Sequence, residues 1–104
     1  MQATTYTADY FLKKFRHKPA RLWCTGKYRR GNRHCAYGHC GRVNIHTEES
    51  RGLYFLFAGL NISVLSVNDK QRLAIHMGVA RKTAARGARA RIMAVLRIIK
   101  AKGG

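Results

Sequence analysis

Five side chains able to ligate a metal ion, Cys24, His34, Cys35, His39 and Cys40, fall within 17 consecutive residues of this chain. A tetrahedral zinc site needs four thiolate or imidazole ligands, and Cys35 and His39, at i and i+4, would share one helical face as paired ligands must. The spacing argues against such a site. There is no C-x-x-C pair, and Cys24-x10-Cys35-x3-His39-Cys40 matches no common zinc pattern. Small cores commonly bury free thiols, although neighbouring cations would favour the thiolate form. The cysteines are expected to be structural, with no metal and no cofactor. Were a metal bound, Cys24, Cys35, His39 and Cys40 would be its ligands.

Acid–base chemistry has little material. His34 or His39 could act as general acid and base in a metal-free nuclease, with arginines stabilising charge on the phosphoryl oxygens. Only four carboxylates are present, Asp9, Glu48, Glu49 and Asp69. A metal-dependent nuclease needs clustered acids, and Glu48 and Glu49, as neighbours, point to different faces of a helix. With no acid–base–orienter set, the expectation is a protein without enzymatic activity.

Charge is the dominant feature. There are 21 Lys and Arg against those four acids, a formal net charge of +17 in 104 residues. Such a chain repels itself unless a polyanion neutralises it, and nucleic acid is the expected partner. Nine cations lie between Lys13 and Arg33, and no acid occurs between Asp9 and Glu48. Tyr10, Trp23, Tyr28 and Tyr37 are interleaved with this basic stretch. Cations neutralise phosphates, and aromatic faces stack unpaired bases. Trp23 is expected in the core, whereas Tyr28 stands beside the basic turn. The first expected binding surface is therefore Lys27, Tyr28, Arg29, Arg30 and Arg33. The second is a stripe on the C-terminal helix, Lys82, Arg86, Arg89, Arg97 and Lys100, with Met93 among them.

The positioning elements follow from periodicity. Thr7 caps a helix expected over 8–17, whose Ala8, Phe11, Leu12 and Phe15 recur at i, i+3, i+4 and i+7. Residues 21–34 suggest a small basic β-hairpin turning at Arg30-Gly31-Asn32-Arg33. Cys35, Ala36, Cys40 and Val43 fit a short buried helix in which Gly38 and Gly41 imply close packing. A further helix is expected from about Thr47, with Glu48 and Glu49 in its first turn, carrying the apolar run Leu53–Ala58 into the core. Ile62, Val64, Leu65 and Val67 suggest a short strand or buried connection ending at Asn68-Asp69. A final amphipathic helix is expected over 83–100, its core face Ala85, Ala88, Ile92, Val95, Leu96 and Ile99, stopped by Gly103-Gly104.

The fold class expected is mainly α, at the margin of α+β: one small helical domain over residues 1–104, with a short basic hairpin, a basic C-terminal helix and loose ends at 1–6 and 101–104. At 46% apolar composition the chain can support one core. No apolar run approaches the ~20 residues that span a bilayer. The Ala-rich face of the last helix carries no Trp or Phe to anchor it on a membrane. The N-terminus lacks the pattern of a secretory signal, and three cysteines cannot pair fully, which points to the reducing cytoplasm.

Trp23-Cys-Thr-Gly26, Cys35-Ala-Tyr-Gly38 and Asn68-Asp69 before a final helix resemble the W-x-x-G, C-x-x-G and N-D positions of a family of small uncharacterised bacterial and phage proteins. The resemblance implies a mainly helical fold with Trp23, Gly26, Cys35, Gly38, Asn68 and Asp69 as scaffold positions, and it implies no activity. His39 and Cys40 depart from the small apolar residues usual there, and the basic load is heavier. The functional expectation is a non-enzymatic RNA- or DNA-binding module of the kind a phage or mobile element encodes. The alternative is an interaction protein: an inhibitor docking on an acidic or nucleic-acid-binding groove of a host enzyme or ribonucleoprotein.

Overall fold

Thr7 opens the first helix by chemistry visible in the sequence: its hydroxyl accepts the Tyr10 N–H at 3.1 Å. The computed structural model describes residues 6–104, so the expected loose N-terminal stretch lies, but for Tyr6, outside the described residues. Helix α1 covers Ala8–Arg16 and buries Ala8, Phe11 and Phe15. A single helical turn at Ala20–Leu22 leads into a two-stranded antiparallel hairpin, β1 (Arg29–Arg30) and β2 (Arg33–His34). Helix α2 is Ala36–His39, and α3 is Glu48–Ala58. Helices α4 (Val64–Asp69), α5 (Gln71–His76), α6 (Arg81–Ala84) and α7 (Ala88–Ala101) complete a mainly helical domain with minor β structure. Among the described residues no helix is long and apolar enough to cross a membrane.

Four sequence expectations are corrected. The β-branched stretch around Val64 is helical: Ser63 caps it by accepting the Ser66 N–H at 3.3 Å, and Val64 and Val67, one turn apart, both enter the core. Burial overrides strand propensity there. The helix expected over 83–100 is broken. Gly87 adopts φ +130°, a conformation closed to other L-residues, so the chain turns between α6 and α7 and leaves Ala85 exposed. Helix α2 ends at His39, before Val43, which stands 72% exposed rather than inward. In α3 only Leu53 and Phe57 of the apolar run are buried; Leu56 packs at the edge, while Tyr54 and Phe55 face solvent. The N-terminal cap of α3 is reciprocal: Thr47 Oγ1 accepts the Ser50 N–H and Ser50 Oγ accepts the Thr47 N–H.

Helix α7 is the central element, packed against α1 and α4 and burying Ile92, Met93, Val95, Leu96 and Ile99. Met93, grouped with the cations by sequence, turns inward. Phe11, Phe15 and Trp23 continue this core as a series of ring contacts 5.1–6.0 Å apart. At the end of α7, the Gly104 carbonyl accepts the Ala8 N–H at 3.0 Å.

One cation of α7 is not on the surface. Arg91 is 5% exposed. Its Nε donates to the Val67 carbonyl at 2.9 Å, Nη1 to Ala84 at 2.8 Å and Nη2 to Asn68 at 2.7 Å. These carbonyls lie in the last turns of α4 and α6, where helices have no partner of their own and carry partial negative charge. Asn68 passes the connection on: its Oδ1 accepts the Ala36 N–H, and its Nδ2 donates to the Cys24 carbonyl and to Asp69 Oδ1. Asp69 Oδ1 in turn accepts the Gly26 N–H at 3.1 Å.

Two stability outcomes follow. Leu96→Ala, at a fully buried position, costs ~2–5 kcal/mol, read as a lowered denaturation midpoint; a parent-like melt would mean that α7 is a detached arm. Arg91→Met costs more than removing any surface arginine, because it leaves three buried carbonyls unpaired at roughly 1–3 kcal/mol each. A melting temperature within error of Arg97→Met would refute that role.

Candidate nucleic-acid interface

The basic hairpin is held by its backbone on two sides. The Cys24 N–H donates to the His34 carbonyl and the Cys35 N–H to the Tyr28 carbonyl, both at 3.0 Å. Helix α2 presses so close that a Cβ on Gly38 would lie 2.1 Å from the Tyr28 oxygen, which leaves room for glycine alone. The opposite wall is the α6–α7 turn. It is fixed by Arg91 below and by Arg89, whose Nε donates to the Lys18 carbonyl at 2.9 Å and whose Nη2 reaches the Arg16 carbonyl at 3.4 Å.

Between these walls lies a cleft of about 470 Å³. Arg30 and Arg33 line it from the hairpin, Arg86, Gly87, Ala88 and Arg89 from the turn, with Trp23 and Arg91 also contributing; no carboxylate does. A groove of about 330 Å³ shares Ala20, Arg86 and Arg89 with the cleft and extends past Met93 to Arg97. From Arg89 to Arg97 the helix rises roughly 12 Å. Thus the two basic surfaces expected separately meet in one concave path. No side chain caps the N-terminus of α7, so its positive dipole end adds to the same field.

The freedom of these cations differs. Arg30 Nη2 donates to the Thr25 carbonyl at 3.3 Å, and Arg89 is committed as above. Arg33, Arg86 and Arg97 make no side-chain hydrogen bond or ion pair within the described residues and are available to a ligand.

Other expected residues stand apart. Lys27 and Tyr28 border a separate hollow with Gly26, Leu65 and Asp69. The guanidinium of Arg42 lies 4.8 Å from the Tyr28 ring centroid and 5.0 Å from that of Tyr37, occupying a position that a stacked base would take. Arg29 is exposed, its Nε donating to the Gly31 carbonyl. Lys82 is exposed but lines neither cleft nor groove. Lys100 pairs with Asp9 at 2.9 Å, and Lys13 meets the same carboxylate at 3.2 Å.

Three of the four acids are thereby engaged elsewhere, while Asp69, bonded to the Gly26 N–H, lies near the cleft without lining it. Glu49 pairs with Lys14 at 2.9 Å and accepts the Tyr10 hydroxyl, and Glu48 accepts the Tyr6 hydroxyl. Sequence reading missed Arg91 as a buried residue and Gly87 as the break. The isolated Gly87, costly inside a helix, was the only local signal for an interruption.

No protein-family model, curated protein or solved structure matches this chain.

Among the described residues no three His, Cys, Asp or Glu side chains group as a metal-ligand set. Cys24 Sγ contacts the Lys27 carbonyl, and Cys35 Sγ caps α2 by accepting the Gly38 N–H. Burial pushes all three thiols up, Cys40 furthest, and outweighs the cations near Cys24. They stand as neutral thiols at neutral pH.

His39 lies in the aromatic core, its ring 4.6 Å from Trp23 and 5.3 Å from His34, with Nε2 buried and unpartnered. Burial, then repulsion from His34, pushes its pKa down to about 4. A base so weak suits general-base chemistry poorly at neutral pH.

The depressed value makes a pH prediction. The unfolded chain takes up a proton at His39 near pH 6.5, the folded chain only near 4. Stability is therefore intact above 6.5 and falls as pH drops toward 4, by at most about 3 kcal/mol from this residue. His34 and His46, also pushed down by burial, add with the same sign. Denaturant midpoints between pH 7 and 4 should show this slope, reduced in His39→Phe. An unchanged slope in the variant would place the titrating group elsewhere.

Proposed function

We propose that this chain is a non-enzymatic nucleic-acid-binding protein that seats a phosphate backbone in the arginine cleft and its adjoining groove. One observation carries the reading: Arg30 and Arg33 of the hairpin and Arg86 and Arg89 of the α6–α7 turn line one concave space without a carboxylate. Guanidiniums pair with phosphate oxygens in a planar, bidentate fashion, and each phosphate neutralised releases condensed counterions. Exposed aromatics are absent from the lining, so contacts to the backbone, rather than to bases, would supply the affinity. Three unpaired thiols suit a reducing cytoplasm.

A second reading rests on a different surface. Ile45 and Phe55 are 80% and 63% exposed, with Val43 and Tyr54 close by in sequence, and they favour contact with a protein. That would suit an inhibitor docking beside an acidic groove.

Fluorescence anisotropy of labelled RNA and DNA across a salt series separates them. In the triple variant Arg33→Glu, Arg86→Glu, Arg97→Glu, the log–log salt slope should fall by roughly 2–3, one phosphate contact per arginine. A charge-reversing control on α5 and before it, Lys70→Glu with Arg72→Glu, should move the slope little. If the triple variant binds like the parent at ~150 mM salt, the cleft is not the interface.

A further inference from the structure

The cleft holds more positive charge than a passing phosphodiester can use. Its volume of about 470 Å³ falls within the range of small-ligand sites. Around this one space stand four arginines at the rim, Arg30, Arg33, Arg86 and Arg89. Beneath them is Arg91, a buried guanidinium whose hydrogen bonds all go to neutral carbonyls, with the Asp69 carboxylate near enough to act on it but not hydrogen-bonded to it. A phosphodiester brings a single negative charge per nucleotide, and a cleft of this size encloses about one nucleotide. A terminal phosphate carries about −2, and linked phosphates concentrate still more charge in the same volume.

The geometry of the donors is of the same kind. Arg89 and Arg30 are each held by backbone carbonyls, which fix where their remaining N–H groups point. Arg33 and Arg86, on opposite walls, carry no competing protein partner. Fixed and free guanidiniums converging from two walls suit a compact anion with many oxygens. Along the groove toward Arg97 the cations are spaced out along a helix, as suits a backbone strand.

Resting on the nucleic-acid reading above, we infer that the five-arginine cleft is a subsite for a polyphosphate group. The group could be the 5′-triphosphate end of an RNA strand or the tail of a free nucleoside triphosphate. In the strand case, the end seats in the cleft and the following backbone runs along the groove past Arg97.

Calorimetry with orthophosphate, pyrophosphate and tripolyphosphate at ~150 mM salt tests the chemistry, and three forms of one short RNA test the source. The RNA carries a 5′-hydroxyl, a 5′-monophosphate or a 5′-triphosphate, with a nucleoside triphosphate as the free counterpart. Tripolyphosphate should bind at least about tenfold tighter than orthophosphate, and triphosphate-ended RNA at least about tenfold tighter than the hydroxyl form. Arg33→Lys with Arg86→Lys keeps the charge and removes the bidentate pairing. It should erase both preferences while the circular dichroism melt stays parental, and Lys70→Gln with Arg72→Gln should preserve them.

If the three RNAs bind within about twofold of one another and tripolyphosphate shows no preference, the polyphosphate inference falls while backbone binding stands. If tripolyphosphate and the free nucleotide bind and no RNA does, the nucleic-acid reading falls and the inference stands, with the nucleotide as its source. If the Lys variant keeps both preferences, arginine geometry is not what recognises the group, and the inference is overturned.

Discussion

A buried guanidinium hydrogen-bonded to carbonyls rather than to an anion is the constraint around which this fold is arranged. Taking Arg91 out of water costs several kcal/mol, and a carboxylate partner would ordinarily offset part of that. Here the offset comes from carbonyls: Val67 and Asn68 at the end of α4 and Ala84 at the end of α6. Each hydrogen bond to the charge contributes roughly 1.5–3 kcal/mol and also satisfies a helix terminus that lacks its own donor. Two helices, α4 and α6, are thus tied to α7 through one side chain. The break at Gly87 belongs to the same arrangement, since a continuous helix would carry Ala84 along the α7 axis and away from the Arg91 guanidinium.

From Arg91 the order spreads to the hairpin. Asn68 gives its carbonyl to Arg91 and its side chain to Cys24 and Ala36, while Asp69 holds the Gly26 N–H. The hairpin has only two residues in each strand, too few for independent stability. It stands where it does because both of its ends are fastened to α4, which is fastened to α7. The relative position of Arg33 and Arg86 across the cleft is therefore set by buried polar contacts, not by the flexible side chains themselves.

How far this was legible depended on the kind of signal. Helices α1 and α3 announce themselves through Thr7 and Thr47 and the apolar spacing that follows, and the hairpin through Arg30-Gly31-Asn32-Arg33. Helix α4 did not, because Val64 and Val67 read equally as strand residues until one knows which face is buried. The cations misled in two ways. Arg91 has the same letter as half-buried Arg89 and exposed Arg97, and only tertiary contacts distinguish it. Lys100 sits on the expected stripe, yet Asp9, 91 residues away in sequence, takes it out of play. The cleft joins residues from 20 to 33 with residues from 86 to 91, a juxtaposition that no local pattern encodes.

The distribution of the four carboxylates gives the charge its direction. Asp9, Glu48 and Glu49 are spent on α1, α3 and the end of α7, against Lys13, Lys14, Lys100 and two tyrosines. Asp69 is spent on the backbone at Gly26. None remains for the cleft. A chain at +17 that placed its acids evenly would weaken its field everywhere; this one puts no carboxylate in the lining of the cleft. The self-repulsion this creates is a standing cost to the folded state, and an anion that binds only the folded form repays it by mass action. On the proposed reading, ligand and fold would be coupled in this way through Arg91, a buried charge that also lines the cleft.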